Sequence, residues 1–224
     1  MIAAAGRIIL RLKKTLMLKN KEAEYKSILS KYVPEPSVDP LFDLINQKHI
    51  RLTIKNGRKT KLGDYRPPVH QSFHRISVNK NLNGYAFLIT LIHEMAHLDV
   101  WEKYGSKVRP HGFEWKKTFT ELMKPFLSLN VFPEDLELLV IRHLQKGYAS
   151  TTSDLQLTRA LLKYDADPAV LIQDLPETSL FSLDDGRTFR KKHRLRKRYL
   201  CYCLDNQKNY LFSPTARVTI QSKK

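Results

Sequence analysis

Apolar positions recur along this chain with two alternating periods, and the switches between them mark its elements. Within 21–32, Tyr25, Ile28, Leu29 and Tyr32 fall at helical spacing, and Pro34 ends the run. Val38-Asp39-Pro40 reads as a helix start, with Asp39 as N-cap and Pro40 at the first helical position, and predicts a helix over 41–47. The period then falls to two. Residues 50–54 alternate as in a strand, Asn56-Gly57 offers a hairpin turn, and 59–65 supplies a second strand. In 73–78, Phe73, Arg75 and Ser77 face one way and His74, Ile76 and Val78 the other, which predicts a third strand.

From residue 85 to 104 the chain holds no Pro or Gly, and Gly105 stands where a helix C-cap belongs. Leu88, Leu91, Ile92, Met95, Leu98 and Asp99 mark one face of this predicted helix. Thr90, His93, Glu94, His97, Trp101 and Tyr104 mark the other. After Pro110-His111-Gly112 a second helix is predicted over 113–123, running into Pro125, and two more over 134–146 and 154–164. Beyond Pro168 come short alternating runs around Asp185-Gly186, Asp205-Asn206 and Ser213-Pro214, the pattern of a small antiparallel β module of four or five strands. The expected organisation is a basic N-terminal extension over 1–21, a mixed α+β domain over 22–167 and a basic β module over 168–224.

Composition narrows the class. Among 224 residues, 42% are hydrophobic and 27% charged, enough apolar material for a real core. No run of 18 apolar residues occurs, so no membrane-spanning helix is expected. Two cysteines exclude a disulfide scaffold and suit a reducing compartment, so a cytoplasmic location is expected. The N-terminal apolar run lacks a basic n-region and is interrupted by Arg7, which reads poorly as a secretory signal; no function is assigned to it.

The net charge of +17 is concentrated at the ends. Residues 1–21 carry six Lys or Arg and no acid, and residues 186–224 carry twelve with the single acid Asp205. The stretch between is neutral, with 21 of each sign. A neutral body beside a basic tail suggests a binding element for an anionic partner attached to a working domain.

The chemistry concentrates in His93-Glu94-Met95-Ala96-His97. Residues four apart on a helix share a face, so both imidazoles can reach one tetrahedral metal. Glu94, about 100° around the helix, can touch a water there without being a ligand. With eight His and ten Glu in 224 residues, chance supplies such a pentad about 0.01 times per chain. A catalytic metal needs a third protein ligand, and His111, Glu114 and Glu121 are candidates. The helix beyond His97 climbs about 10 Å and six loop residues span up to about 20 Å, so the chain can return to the metal at His111. Glu121 is the rival for a glutamate-ligated site.

The sequence His93-Glu94-Met95-Ala96-His97-Leu98, with Trp101 to Gly105 after it and then Pro110-His111-Gly112-Phe113-Glu114-Trp115-Lys116, resembles the SprT-like family of zinc metalloproteases. Gly63-Asp64-Tyr65 and the strand Arg75-Ile76-Ser77-Val78-Asn79 are similar to the family's approach to the helix, and the resemblance covers about 22–125. It implies a zincin-like fold of α+β class, one catalytic Zn2+ on His93, His97 and His111, and Glu94 as the catalytic glutamate. The family's members act on proteins, some of them trapped on DNA, so a protein substrate and DNA are the implied partners. Zinc would acidify a water to a pKa of about 7, and Glu94 would take its proton as a peptide carbonyl is attacked. The strand at 74–78 is expected to accept a substrate segment as an added strand. Tyr85, His74 and Tyr104 are candidate second donors to the oxyanion.

The tail supplies the expected nucleic-acid contact: Arg187, Arg190, Lys191, Lys192, Arg194, Arg196, Lys197 and Arg198, interleaved with Phe189 and Tyr199. Cations track phosphates and aromatics stack unpaired bases, which favours single-stranded DNA and, with it, association with the nucleoid. Some SprT-type proteins end in a four-cysteine zinc ribbon. This chain has Cys201 and Cys203 alone, so the ribbon's metal is expected to be lost and the cysteines to pack as small core residues. Two other readings stay open: a nucleic-acid-binding module with a non-catalytic metal site, and a zinc peptidase indifferent to DNA.

Overall fold

A computed structural model describes residues 20–58, 60–68, 72–167 and 170–220. Most of the predicted N-terminal extension, 1–19, lies outside the described residues. The chain divides into two compact units, residues 1–147 and 148–224. This division falls earlier than the boundary read near 168, and it assigns the last helix to the β module's unit.

The first unit begins with helix α1, residues 20–29, and α2, Val38–Gln47. Helix α2 starts three residues earlier than its sequence signal because Ser37 occupies the N-cap, without a side-chain cap bond. Asp39 sits in its first turn and pairs with Lys26 at 2.8 Å. Three strands follow: β1, Ile50–Lys55; β2, Gly63–Arg66; and β3, His74–Asn79. They form one sheet in the order β1-β3-β2, with β1 parallel to β3 and β2 antiparallel to it.

The expected hairpin at Asn56-Gly57 is therefore corrected, since β3 lies between the two strands it was to join. A Cβ at Gly57 would meet only the end of the exposed Asn81 side chain, 2.7 Å from its Oδ1, which can turn aside. Arg58, in the same connection, donates to Asn79 Oδ1 at 2.8 Å and to Ser77 Oγ at 3.2 Å, tying the loop to β3.

Helix α3, Gly84–Tyr104, is the core of this unit. Asn83 caps it by accepting the Ala86 N–H at 3.0 Å, and Gly105 ends it with φ of 61°. Phe87, Leu88, Leu91, Ile92, Met95, Ala96 and Leu98 have no exposed surface at all. A helix buried around most of its circumference needs cover on more than one side. Strands β2 and β3 supply one side, with Ile76 and Val78 buried, and helix α4, Phe113–Ser128, supplies another.

Helix α4 does not stop at Pro125 as its sequence suggested. The proline falls in the last turn, where it forfeits the N–H that would donate to the Glu121 carbonyl, and Met123 and Phe126 are fully buried around it. Helix α5, Glu134–Lys146, matches its predicted range and ends at Gly147 in the left-handed region. Among the described residues no helix is long and apolar enough to cross a membrane.

The second unit opens with helix α6, Leu155–Leu162, whose N-cap Asp154 accepts the N–H groups of Gln156 and Leu157. Six strands then form an antiparallel sheet: β4, Val170–Leu171; β5, Leu180–Ser182; β6, Thr188–Leu195; β7, Arg198–Cys203; β8, Asn209–Phe212; and β9, Arg217–Ile220. Their order is β4-β9-β5-β6-β7-β8, so the module has more strands than the four or five expected. Phe181 and Phe189 stack at 5.5 Å, with Phe212 perpendicular to Phe181 at the same distance. Cys201 and Cys203 are fully buried beside them, and burial pushes the Cys201 thiol up to about 11. Both cysteines are thus part of an apolar core.

Because this core is aromatic, Phe189→Ala should cost the module about 3–5 kcal/mol. Chelator should leave its unfolding transition in place. Urea unfolding of the full chain followed at the module's backbone amides, with and without chelator, checks both.

Candidate metal centre

The site is built on successive turns of α3. His93 and His97 point to the side covered by α4, and the loop before α4 brings in His111. That residue adopts φ of 57°, a left-handed conformation in which histidine is among the more tolerated residues. The turn is closed by the Gly112 N–H donating to the Arg109 carbonyl at 3.0 Å. It aims the imidazole back at α3.

The three Nε2 atoms stand 3.2 Å (His93 to His97), 3.1 Å (His97 to His111) and 3.2 Å (His111 to His93) apart. Nitrogens on one tetrahedral zinc, each 2.0–2.1 Å from it, lie about 3.3 Å from one another. The triangle therefore has the size a zinc ion requires. Among the described residues it is the one group of three or more His, Cys, Asp or Glu side chains close enough to hold a metal. Burial lowers the pKa of all three, His93 to about 3 and His97 to about 4, and their mutual repulsion adds to this at His93 and His97. Neutral imidazoles with lone pairs turned inward form a donor set suited to a divalent cation.

Trp115 of α4 backs the triangle. Its ring lies 4.6 Å from His93, 4.7 Å from His111 and 5.4 Å from His97, and it stacks on Phe119 at 5.0 Å. It is 1% exposed and so closes the site from the α4 side. Glu121, the rival ligand, is exposed on α4 and pairs with Lys124 at 2.8 Å. Glu114 is in the first turn of the same helix and outside the cluster.

Glu94, about 100° around the helix from His93, is turned toward β2. Burial, with Asp64 nearby, pushes its pKa up to about 7, and the Tyr65 backbone N–H on this side of β2 acts in the opposite direction. The approach to β2 needs a glycine. A Cβ at Gly63 would stand 2.4 Å from Glu94 Oε1 and 2.8 Å from Thr90 Cγ2. The Asn79 N–H donates to the Leu62 carbonyl at 2.9 Å, so the alternation of an antiparallel ladder turns the polar backbone groups of Gly63 and Tyr65 away from β3, to the free edge of β2. Glu94 therefore sits at that edge.

Strand β3 carries partners on both sides and has no edge to offer, which corrects the expectation that 74–78 receives an added strand. Of the three oxyanion-donor candidates, His74 lies between Tyr65 Oη at 3.0 Å and Glu102 Oε1 at 3.2 Å. Tyr85 packs on Phe132, and Tyr104 lies under the Lys103 ammonium.

In the second unit the predicted basic residues separate into two groups. Arg190, Lys192, Arg194, Arg196, Lys197 and Arg198 are exposed on β6, its turn and the start of β7. Lys192 lies 5.1 Å over Tyr202 and Arg194 5.8 Å over Tyr199. Lys191 does not belong with them. It is 3% exposed, and its ammonium donates to the Leu175 carbonyl inside the module. Alternation along β6 turns it to the core face. Arg187 is held by Asp185 at 2.8 Å and lies 5.5 Å over Tyr210, so its charge is partly neutralised.

Residues 37–135 match the model of the SprT-like family, a family of zinc-metallopeptidase-like proteins. No curated protein matches the chain, and no solved structure does. The matched segment holds α2, the three-stranded sheet, α3 and α4, and with them every residue of the cluster.

Two outcomes follow from this packing. Gly63→Ala should destabilise the first unit by about 1–3 kcal/mol through the clash with Glu94, read as a lower unfolding midpoint. The chain should bind one zinc, and His111→Ala should weaken that binding by at least roughly a hundredfold in a competitive chelator titration.

Proposed function

We propose that this protein is a zinc-dependent endopeptidase of SprT-like type, with a zincin-like catalytic domain, acting on proteins associated with or crosslinked to DNA. The observation that carries the reading is the pairing of a three-histidine triangle with a separately held carboxylate on the next helix position. A structural metal site needs no such carboxylate. His93, His97 and His111 would hold the ion. Zinc there supplies Lewis acidity, polarising a carbonyl and making water a better nucleophile at neutral pH.

The remaining work falls to the chain's own groups. Glu94 takes a proton at its carboxylate from the attacking water and returns it to the leaving amine, so its oxygens must face the cleft on the β2 side. A peptide aligned along the free edge of β2 would hydrogen-bond through its backbone, which is independent of side-chain sequence. Trp115 keeps solvent from the rear of the histidines.

The exposed cations of β6 and β7, with Tyr202 and Tyr199 beside them, support a nucleic-acid contact through the C-terminal module. Arg190, Lys192, Arg194, Arg196, Lys197 and Arg198 carry that part of the proposal; Arg187 contributes less and Lys191 is withdrawn from it.

The test is cleavage of a disordered protein by zinc-loaded chain, with and without single-stranded DNA. Glu94→Gln should keep its zinc and lose cleavage by a factor of at least about a hundred. DNA should stimulate the wild-type chain. Cleavage indifferent to DNA would leave a peptidase without the DNA role, and zinc binding with no cleavage would leave a metal-containing binding protein.

A further inference from the structure

The body of the chain is neutral in sum, but its charges are not mixed in space. Residues 50–80 contain eight Lys or Arg and a single acid, Asp64. The strands in this stretch turn Ile50, Leu52, Ile54, His74, Ile76 and Val78 toward the unit's interior, so the alternate positions form the opposite face of the sheet. The register then sets Arg51 opposite Arg75 and Arg75 opposite Arg66. Three arginines thus stand abreast across three strands, one strand spacing of about 4.8 Å apart.

Like charges directly opposite one another in a sheet are destabilising, and here there are two such pairs in one row. Little around them offsets this. Asp64 pairs with Arg66 at 3.0 Å and also with Lys61 at 2.7 Å, and the Arg66 side chain stays 62% exposed. Arg51 lies 5.4 Å over the Phe73 ring, and among the described residues its guanidinium makes no hydrogen bond. The Arg75 Nε is buried and without a hydrogen-bond partner among the described residues. Lys55 is exposed at the end of β1, and Arg58 crosses over Ser77 on the same face.

We propose that this outer face of the sheet, along the row Arg51, Arg75 and Arg66, binds the phosphate backbone of a nucleic acid. Planar guanidiniums make paired hydrogen bonds to phosphate oxygens, and a repeating anion satisfies a row of them where a single anion satisfies one. Arg66 belongs to β2, whose edge adjoins Glu94, so a strand of nucleic acid on this face would run beside the cleft. The inference extends the nucleic-acid part of the proposed function to a surface in the catalytic unit, and it stands without the peptidase part.

The test is oligonucleotide binding by the full-length zinc-loaded chain carrying Glu94→Gln, over a range of salt, with single- and double-stranded probes. Replacing Arg51, Arg66 and Arg75 together by Gln should weaken binding roughly tenfold or more and lower the salt slope by about 2 to 3, since each phosphate contact contributes about 0.7 to 0.9. The unfolding midpoint without nucleic acid should hold or rise as repulsion is relieved. Should the triple variant not fold, Arg51→Gln with Arg66→Gln should lower the slope by about 1.4 to 1.8. A parallel variant with Arg190 and Lys192 replaced by Gln separates the two surfaces. A slope unchanged by the sheet variants but lowered by the module variant would overturn this inference alone. Absence of all nucleic-acid binding would overturn both surfaces while leaving the peptidase reading to its own cleavage assay. Competition by poly-glutamate as effective as by an oligonucleotide of equal charge would overturn it too, since the face would then take any polyanion.

Discussion

Everything in the first unit depends on how close one strand comes to one helix. Strand β2 crosses α3 at Gly63, where even a methyl group would meet the Glu94 carboxylate at 2.4 Å. That approach brings a backbone N–H, that of Tyr65, beside an ionisable side chain that is 7% exposed. Without it Glu94 would be an uncompensated charge at the helix surface. With it, adjacent positions on α3 can be given to different surroundings: His93 to the aromatic wall of α4 and Glu94 to the polar edge of a strand. A helix amphipathic in the ordinary way offers one wet and one dry side. Helix α3 instead is buried nearly all round and carries its polar groups in two separately furnished niches.

The parts of this arrangement that were legible in the sequence are the local ones. The helix of 85–104, its glycine stop, the i, i+4 histidines and the alternation of β1 and β3 all follow from spacing within one element. His111 was reachable because a short loop limits where the chain can go; the resemblance then selected it from its rivals. What stayed hidden was pairing between elements. Asn56-Gly57 reads as a hairpin because nothing local says that a third strand will come between its arms. The third strand, β3, was read as an edge for the same reason, and in the sheet it is the centre. Lys191 and Lys192 are indistinguishable by composition, yet strand alternation sends one into the module's core and the other over Tyr202. Helix α4 continues through Pro125 because buried Met123 and Phe126 outweigh one lost hydrogen bond at its end.

Charge shows the same limitation at larger scale. Averaged over 22–185 the body is neutral, which hides a stretch of cations from 50 to 80 balanced by acids on either side of it. Only the register shows that the strands bring these cations onto one face and set three of them in a row. The exposed cations of the second unit are organised differently. They lie along one hairpin with tyrosines beside them, where stacking can add to charge, whereas the sheet of the first unit offers guanidiniums with few rings. As proposed nucleic-acid contacts, the two surfaces would differ in what they ask of a ligand: the module would favour exposed bases, and the sheet the backbone alone.

Strand β2 has four residues and three separate tasks. Its inner face, through Gly63, admits the Glu94 carboxylate; its free edge sets the Tyr65 N–H beside that carboxylate; its outer face carries Asp64 and Arg66. In so short a strand these tasks are not independent, because each residue's backbone is fixed by the same ladder to β3. The Tyr65 hydroxyl, bonded to His74, which in turn reaches Glu102 on α3, ties the strand to the helix a second time, two turns beyond Glu94. Two ties along α3 resist both sliding and tilting of β2, where one would resist sliding alone. The geometry of the carboxylate is thus set by the sheet as a whole, and the sequence motif on α3 is only its inner half.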